Sequence, residues 1–213
     1  MTRIVRSLPA LLALALCACA SLTKQVPFTT YAPRYTAPSA ATTGTPVRWQ
    51  LAVDTPLASD ALDTARMLVM PTPGAIETYK NARWSDTAPL LLRSLVVQAF
   101  QQSGRITGVG ASTSGLHADY SLAIDLYDFE TQYQAGAPRA VIRLNARLSD
   151  LSVNRIVAAR AFEAQAPVGG AQAGDAATAF EQALNELLPR MVGWTIEQGD
   201  AHWHPASANG GAG

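Results

Sequence analysis

From residue 139 to residue 148 apolar and polar side chains alternate, with Val141 the one apolar residue on the polar parity. Ala140, Ile142, Leu144, Ala146 and Leu148 share one parity, and Arg139, Arg143, Asn145 and Arg147 share the other. A period of two sends successive side chains to opposite faces, so this stretch predicts a strand with one face on a core and one in water. Residues 119–130 carry the same signal, with Tyr120, Leu122, Ile124 and Leu126 opposed to Asp119, Ser121 and Asp125. After Leu126 the phase slips and Tyr127 and Phe129 become the large positions, as a β-bulge or a change of sheet surroundings would cause. Gly136 and Pro138 mark the turn of an antiparallel hairpin. The pattern leaves its register open; opposite charges on the two strands, Asp125 near Arg143 for example, would add up to about 1 kcal/mol per pair. Ser152-Val153-Asn154 make a second tight connection into a strand over residues 156–165. Its facing stays open, because Ile156 and Phe162 share a parity with Arg160.

The period changes to that of a helix in two places. Leu92, Leu95, Val96 and Ala99, widened by Leu91 and Phe100, form a stripe opposite Arg93, Gln98, Gln101 and Gln102. Asp86 or Thr87 can cap this helix, Pro89 sits where a missing amide donor costs nothing, and Gly104 can take the left-handed conformation that ends it. The second helix is expected to start at an Asp175 cap, with a stripe of Phe180, Ala183, Leu184, Leu187, Leu188 and Met191 continued by Trp194 and Ile196. Pro189 inside it predicts a kink or a break near Asn185. Before the first helix lie a strand from Val47 to Val53, a buried run at Met67, Leu68, Val69 and Met70 stopped by Pro71 and Pro73, and a short strand or irregular crossing over residues 76–84. These elements predict a layered α+β domain, a mixed and largely antiparallel sheet with both amphipathic helices on one face.

The N-terminus is patterned differently. Arg3 and Arg6 precede an apolar run over residues 8–16, too short to span a bilayer and suited to a signal-peptide core. It closes on Leu16-Cys17-Ala18-Cys19, which resembles a bacterial lipobox. Cys19 follows the small Ala18 and is the expected site of acylation, becoming the first residue after cleavage. The residues after it, with no aspartate directly following, suggest sorting to the outer membrane. Residues 19–46 are rich in Thr, Ala and Pro without hydrophobic periodicity and read as a linker with a reach of roughly 30 to 80 Å. The organisation expected is a leader over 1–18, an anchor and linker over 19–46, one domain over 47–200 and a glycine-rich tail over 201–213.

Composition narrows the chemistry. Two of the 16 basic residues, Arg3 and Arg6, lie in the leader, leaving 14 against 16 acidic ones, without the basic excess of a nucleic-acid binder. Both cysteines, Cys17 and Cys19, lie in the leader or its cleavage site, so the domain has neither disulfide nor thiol chemistry. Of the three histidines, His202 and His204 flank Trp203, but a metal site needs further ligands and no cysteine remains to supply them, and His117 has no ordered Ser-His-Asp signature around it. Gly104, Gly108 and Gly110 follow a helix, whereas a phosphate-cradling loop precedes one. No enzyme activity, cofactor or metal is expected. The outward Arg139, Arg143 and Arg147 form a basic stripe that is either a solvated sheet face or a docking surface for an acidic protein or lipid headgroup.

The run Tyr79-Lys80-Asn81-Ala82-Arg83-Trp84 followed by Pro89 and a leucine-rich helix resembles the ABC-type transport auxiliary lipoprotein family. So do the Ala-Asp-Tyr-Ser-Leu strand at residues 118–122, the Val-Ala-Ala-Arg-Ala-Phe strand at 157–162 and a closing helix that ends in Trp194. The resemblance covers roughly residues 48–197 together with the lipobox. It implies a role like that of the paraquat-inducible lipoproteins, which accompany an ABC permease, its ATPase and a mammalian-cell-entry (MCE) domain protein in lipid transport between Gram-negative membranes. The chain would then be a noncatalytic outer-membrane component facing the periplasm and docking the MCE protein, with ATP hydrolysed elsewhere and a homo-oligomer matching a ring-shaped partner. Tyr79 and Trp84, in the motif, join the arginines as partner-binding candidates. The alternative is a stand-alone envelope lipoprotein for stress response or cell-wall attachment.

Overall fold

A computed structural model describes residues 27–37 and 44–204. Nine strands form one mixed sheet around β7 (Tyr120–Gln134), which pairs antiparallel along its whole length with β8 (Ala137–Asp150). β9 (Arg155–Pro167) continues on the far side of β8. Three short strands share the other edge of β7, all parallel to it: β2 (Leu51–Val53), β3 (Leu57–Ala58) and β4 (Arg66–Met70). From there the sheet forks. β6 (Val109–Ala111) flanks β2, while β5 (Glu77–Trp84) flanks β4 and carries β1 (Thr29–Tyr31) on its outer side.

The helices α1 (Ala88–Gln102) and α2 (Ala173–His202) cover one face and touch each other. The alternation in β7 and β8 dictates this, since Leu122, Ile124, Leu126, Ala140, Ile142, Leu144, Ala146 and Leu148 all point under the helices and are buried. The phase slip after Leu126 is a register shift against β8; it turns Tyr127 out to solvent and returns Phe129 to the core. β9 proves to face inward with Phe162, Ala164 and Ala166, and the Arg160 guanidinium sits 5.2 Å above the Phe162 ring rather than among the outward polar groups.

Three sequence expectations need correction. α2 starts at Ala173 instead of at an Asp175 cap; Asp175 lies in its first turn and accepts the Gln172 amide at 3.1 Å. Pro189 does not break α2, because Leu184, Leu187 and Leu188 before it and Met191, Val192 and Thr195 after it are all buried. Burying that continuous stripe outweighs the roughly 3 kcal/mol that an internal proline costs. The linker expected over 19–46 is not uniform either. Residues 29–31 form β1, Tyr35 is only 5% exposed, and the backbone between them is held by helix side chains. Arg34 N donates to Glu181 Oε2 at 2.9 Å, Thr36 N to Asn185 Oδ1 at 2.8 Å and Ala37 N to Gln102 Oε1 at 3.2 Å, while Asn185 Nδ2 donates to the Arg34 carbonyl at 3.1 Å. Extended backbone without sheet partners is satisfied here by three polar side chains of α1 and α2. Residues 33–37 thus strap the two helices together. Residues 38–43 and 205–213 lie outside the described regions, as do the leader and Cys19.

At the C-terminal end of α2, Gly199 allows a close approach. Its carbonyl accepts the Tyr120 hydroxyl at 3.2 Å, and a Cβ at this position would overlap the six-membered ring of Trp49. That indole cannot swing aside, because Nε1 donates to Asp200 Oδ1 at 2.9 Å and Tyr120 packs edge-on against it at 5.2 Å. Gly199→Ala should therefore destabilise the domain by about 1 to 3 kcal/mol, the range for overpacking, although alanine is intrinsically the better helix former by about 1 kcal/mol. A urea titration that shows equal or higher stability would mean the indole is freer than its contacts imply.

Candidate functional site

The three arginines of the expected basic stripe do share the outward face of β8, but each is engaged. Arg147 grips Asp125 with two guanidinium nitrogens, Nη1 to Oδ2 and Nη2 to Oδ1, the latter at 3.0 Å. Arg143 Nε lies 2.5 Å from Asp128 Oδ2, and Arg139 Nε donates to Gln165 Oε1 at 3.0 Å. The expected Asp125–Arg143 pairing is not formed. The bulge after Leu126 brings Asp128 opposite Arg143 and leaves Asp125 opposite Asn145, from where it reaches diagonally to Arg147. The bidentate hydrogen bonds hold the Arg147 guanidinium above its ordinary pKa. Two of the three positive charges are thus matched by carboxylates from the neighbouring strand, and the stripe offers an acidic ligand little net charge.

Beside these pairs, Glu130 is 4% exposed on the same outward face. Its Oε2 accepts the Phe129 amide at 2.7 Å and its Oε1 accepts Gln132 Nε2 at 2.6 Å. Burial pushes its pKa up, against the two hydrogen bonds, and the adjacent Asp128 pushes it further. A carboxyl with a raised pKa binds more protons in the folded chain than in the unfolded one, so stability is full below the ordinary carboxyl range and falls as pH rises through the raised value. Glu130→Gln should flatten that decline in urea midpoints measured between about pH 4 and about pH 8. Parallel profiles for the variant and the parent would show that Glu130 does not set it.

Trp84 is not available to a partner. It is 1% exposed and stands at the centre of an aromatic cluster, edge-on to Phe129 at 5.7 Å and to Phe180 at 5.1 Å. Tyr79 is half-buried and donates its hydroxyl to Thr131 Oγ1 at 3.3 Å; burial raises its pKa. The motif containing both residues therefore specifies how β5 packs on the helix layer. Its middle is irregular: Asn81 has φ of +54°, and the β4–β5 register shifts between Arg66 and Leu68.

The sequence reading assigned no role to the end of the molecule where the β8–β9 turn meets the start of β7 and the end of α2. Leu151, Val153 and Ile156 are exposed there by 45, 65 and 54%. The signal was present in the sequence as Leu-Ser-Val-Asn, two aliphatic side chains in a four-residue turn that normally carries polar ones. A cleft of about 100 Å³ beside it is lined by Asp119, Tyr120, Asp150, Ser152, Trp203 and His204. Burial, with the charges of Asp150, Asp119 and Asp200, pushes the Tyr120 hydroxyl up to about 12. Among the described residues no three of His, Cys, Asp and Glu are placed to hold a metal ion, and no helix is long and apolar enough to cross a membrane.

The model of the family described as ABC-type transport auxiliary lipoprotein component matches residues 33–192. The chain belongs to this family. The match begins inside the strap that joins the helices and ends within α2, so it takes in the residues that close the fold as well as the sheet. A crystal structure of a Xanthomonas campestris protein assigned to the family DUF330 is 39% identical, covering 81% of this chain and 97% of its own, with a TM-score of 0.74. Two further solved structures share the fold at low identity. One is an uncharacterized protein at 13% identity (79% of this chain, 99% of its own, TM-score 0.62); the other is a hypothetical protein of Chlamydia trachomatis at 10% (72% and 99%, TM-score 0.50). No curated protein matches the chain. Membership makes the protein an auxiliary lipoprotein of an ABC-type transport system, held at a membrane of the cell envelope.

Proposed function

We propose that the chain is the noncatalytic outer-membrane lipoprotein of an intermembrane lipid-transport system and docks or anchors its periplasmic MCE-domain protein, while a separate ATPase subunit drives an ABC permease. The observation that carries this reading is the short leash between anchor and domain. Folded structure begins by residue 29 and is strapped across both helices by residue 37, so only ten peptide units separate Cys19 from Thr29. Fully extended, they reach about 35 Å. An anchor this close keeps the domain near the acyl chains and suits a fixed docking part better than a roving one. The docking face belongs to a protein with no catalytic group of its own, and self-association into a ring that fits a ring-shaped partner is part of the same reading.

The test is co-purification. The full-length lipoprotein, solubilised from membranes of its own cells, should retain the MCE-domain protein and elute as an oligomer. Elution as a strict monomer without the MCE-domain protein would overturn the proposal.

A further inference from the structure

We infer that the β8–β9 turn is an apolar knob that inserts into a socket of a periplasmic protein, a socket lined by apolar groups and rimmed by lysine or arginine; this rests on the docking role proposed above and names its surface. The knob is preformed. Asp150 Oδ1 accepts both the amide of Ser152 at 2.8 Å and its hydroxyl at 2.6 Å, the Leu151 amide donates to the Asp119 carbonyl at 2.9 Å, and Asn154 closes the turn with φ of +49°. Leu151 and Val153 are thus held out in water on a turn that has little freedom left to lose on binding, with Ile156 exposed beside them at the start of β9. Around them stand three carboxylates whose positions are also fixed: Asp119 accepts the Gln50 amide at 2.8 Å, Asp150 holds the turn, and Asp200 accepts the Trp49 indole N–H. Cations at this end include Arg155, next to the turn, and Arg48, two residues before the Gln50 whose amide binds Asp119; the His204 ring faces Asp150.

The charge decides between occupants. An acidic rim is repelled by anionic lipid headgroups, so a bilayer is a poor fit. A second copy would bring either the same acids or a basic stripe whose Arg143 and Arg147 are already paired. A protein whose apolar socket has a basic rim satisfies both the exposed aliphatics and the carboxylates. The direction of the chain agrees. β1 is parallel to β5 and antiparallel to β7, so β1 is entered from the side of the β7–β8 turn, and the knob lies at the opposite end of β7.

The experiment uses the full-length lipoprotein in detergent, with the purified MCE-domain protein of its system as probe. Leu151→Ser, Val153→Ser and Ile156→Ser combined should weaken binding roughly tenfold or more, whereas Arg139→Gln, Arg143→Gln and Arg147→Gln combined should leave it within about twofold. Binding should also weaken as salt rises, and the thermal midpoint of the serine variant should match the parent because all three side chains are exposed. Full affinity in the serine variant, or affinity indifferent to salt, overturns the inference while leaving the docking role intact. If the MCE-domain protein does not bind at all, the docking role fails and a photo-crosslinker at Val153 in living cells decides the rest. An adduct with one other protein, identified, purified and shown to lose affinity for the serine variant, supports the knob. Adducts with phospholipid or with a second copy, or no adduct, overturn it.

Discussion

Cys19→Ala is expected to abolish acylation and remove the mature, membrane-held form of the protein. The apolar run over residues 8–16 is too short to remain as a membrane span, and no helix among the described residues can take its place. Attachment therefore falls to the acyl chains, each buried methylene contributing about 0.8 kcal/mol; one chain alone holds only marginally, and stable anchoring takes two signals. Losing the thiol removes the attachment point and the processing step together. Palmitate labelling and fractionation of cells that express the variant should show no label and no mature-length protein in the membrane fraction. Mature protein that stays with membranes in the variant would overturn the assignment of Cys19, and the leash argument would go with it.

Trp84→Ala should cost about 3 to 5 kcal/mol of folding stability, the range for truncating a buried aromatic. Total stabilities of about 5 to 15 kcal/mol make that a large share, enough to leave part of the chain unfolded at growth temperature. The site explains the size. Trp84 fills the junction of β5, β7 and α2 against Phe129 and Phe180, which themselves lie 4.8 Å apart, so its removal leaves a cavity that two neighbouring rings cannot both collapse into. Trp84→Phe should cost much less. It keeps an aromatic contact and also removes the indole N–H, which is buried without a hydrogen-bond acceptor. Chemical denaturation of the three proteins checks the order. An alanine variant as stable as the parent would show that the cluster does not hold β5 to the helix layer.

The alternation over residues 119–130 and 139–148 was enough to predict the hairpin, its inward face and the phase slip after Leu126, because a half-buried strand writes its facing into every second residue; that the slip is a bulge came from the pairing with β8. The stripes of the two helices were equally legible, with Gly104 at φ of +63° beyond the end of α1. The family could be recognised from the order of motifs, although Trp84, one of the residues that carry the resemblance, serves packing and not partners. Local pattern failed where the answer depended on a residue far along the chain. Residues 29–37 have linker composition; pairing with β5 makes 29–31 a strand, and Glu181, Asn185 and Gln102, about 65 to 150 positions away, turn 33–37 into a strap. Whether Arg143 met Asp125 or Asp128 depended on one bulged residue, since a one-residue shift changes every later partner. The exposure of the β8–β9 turn is not legible in the sequence, because two aliphatic residues in a turn carry no period that tells whether a neighbour covers them.

The sequence by itself determined the class of fold and the faces of its main strands and helices, and it carries the expectation of a leader and an anchor at Cys19, all of which follow from local composition and period. Tertiary structure alone decided that the arginine stripe is largely paired, that residues 29–37 of the expected linker belong to the domain, and that an uncovered apolar patch lies at the β8–β9 turn. Each of these depends on which distant groups meet, and burial and charge pairing are properties of that meeting and not of any segment read alone.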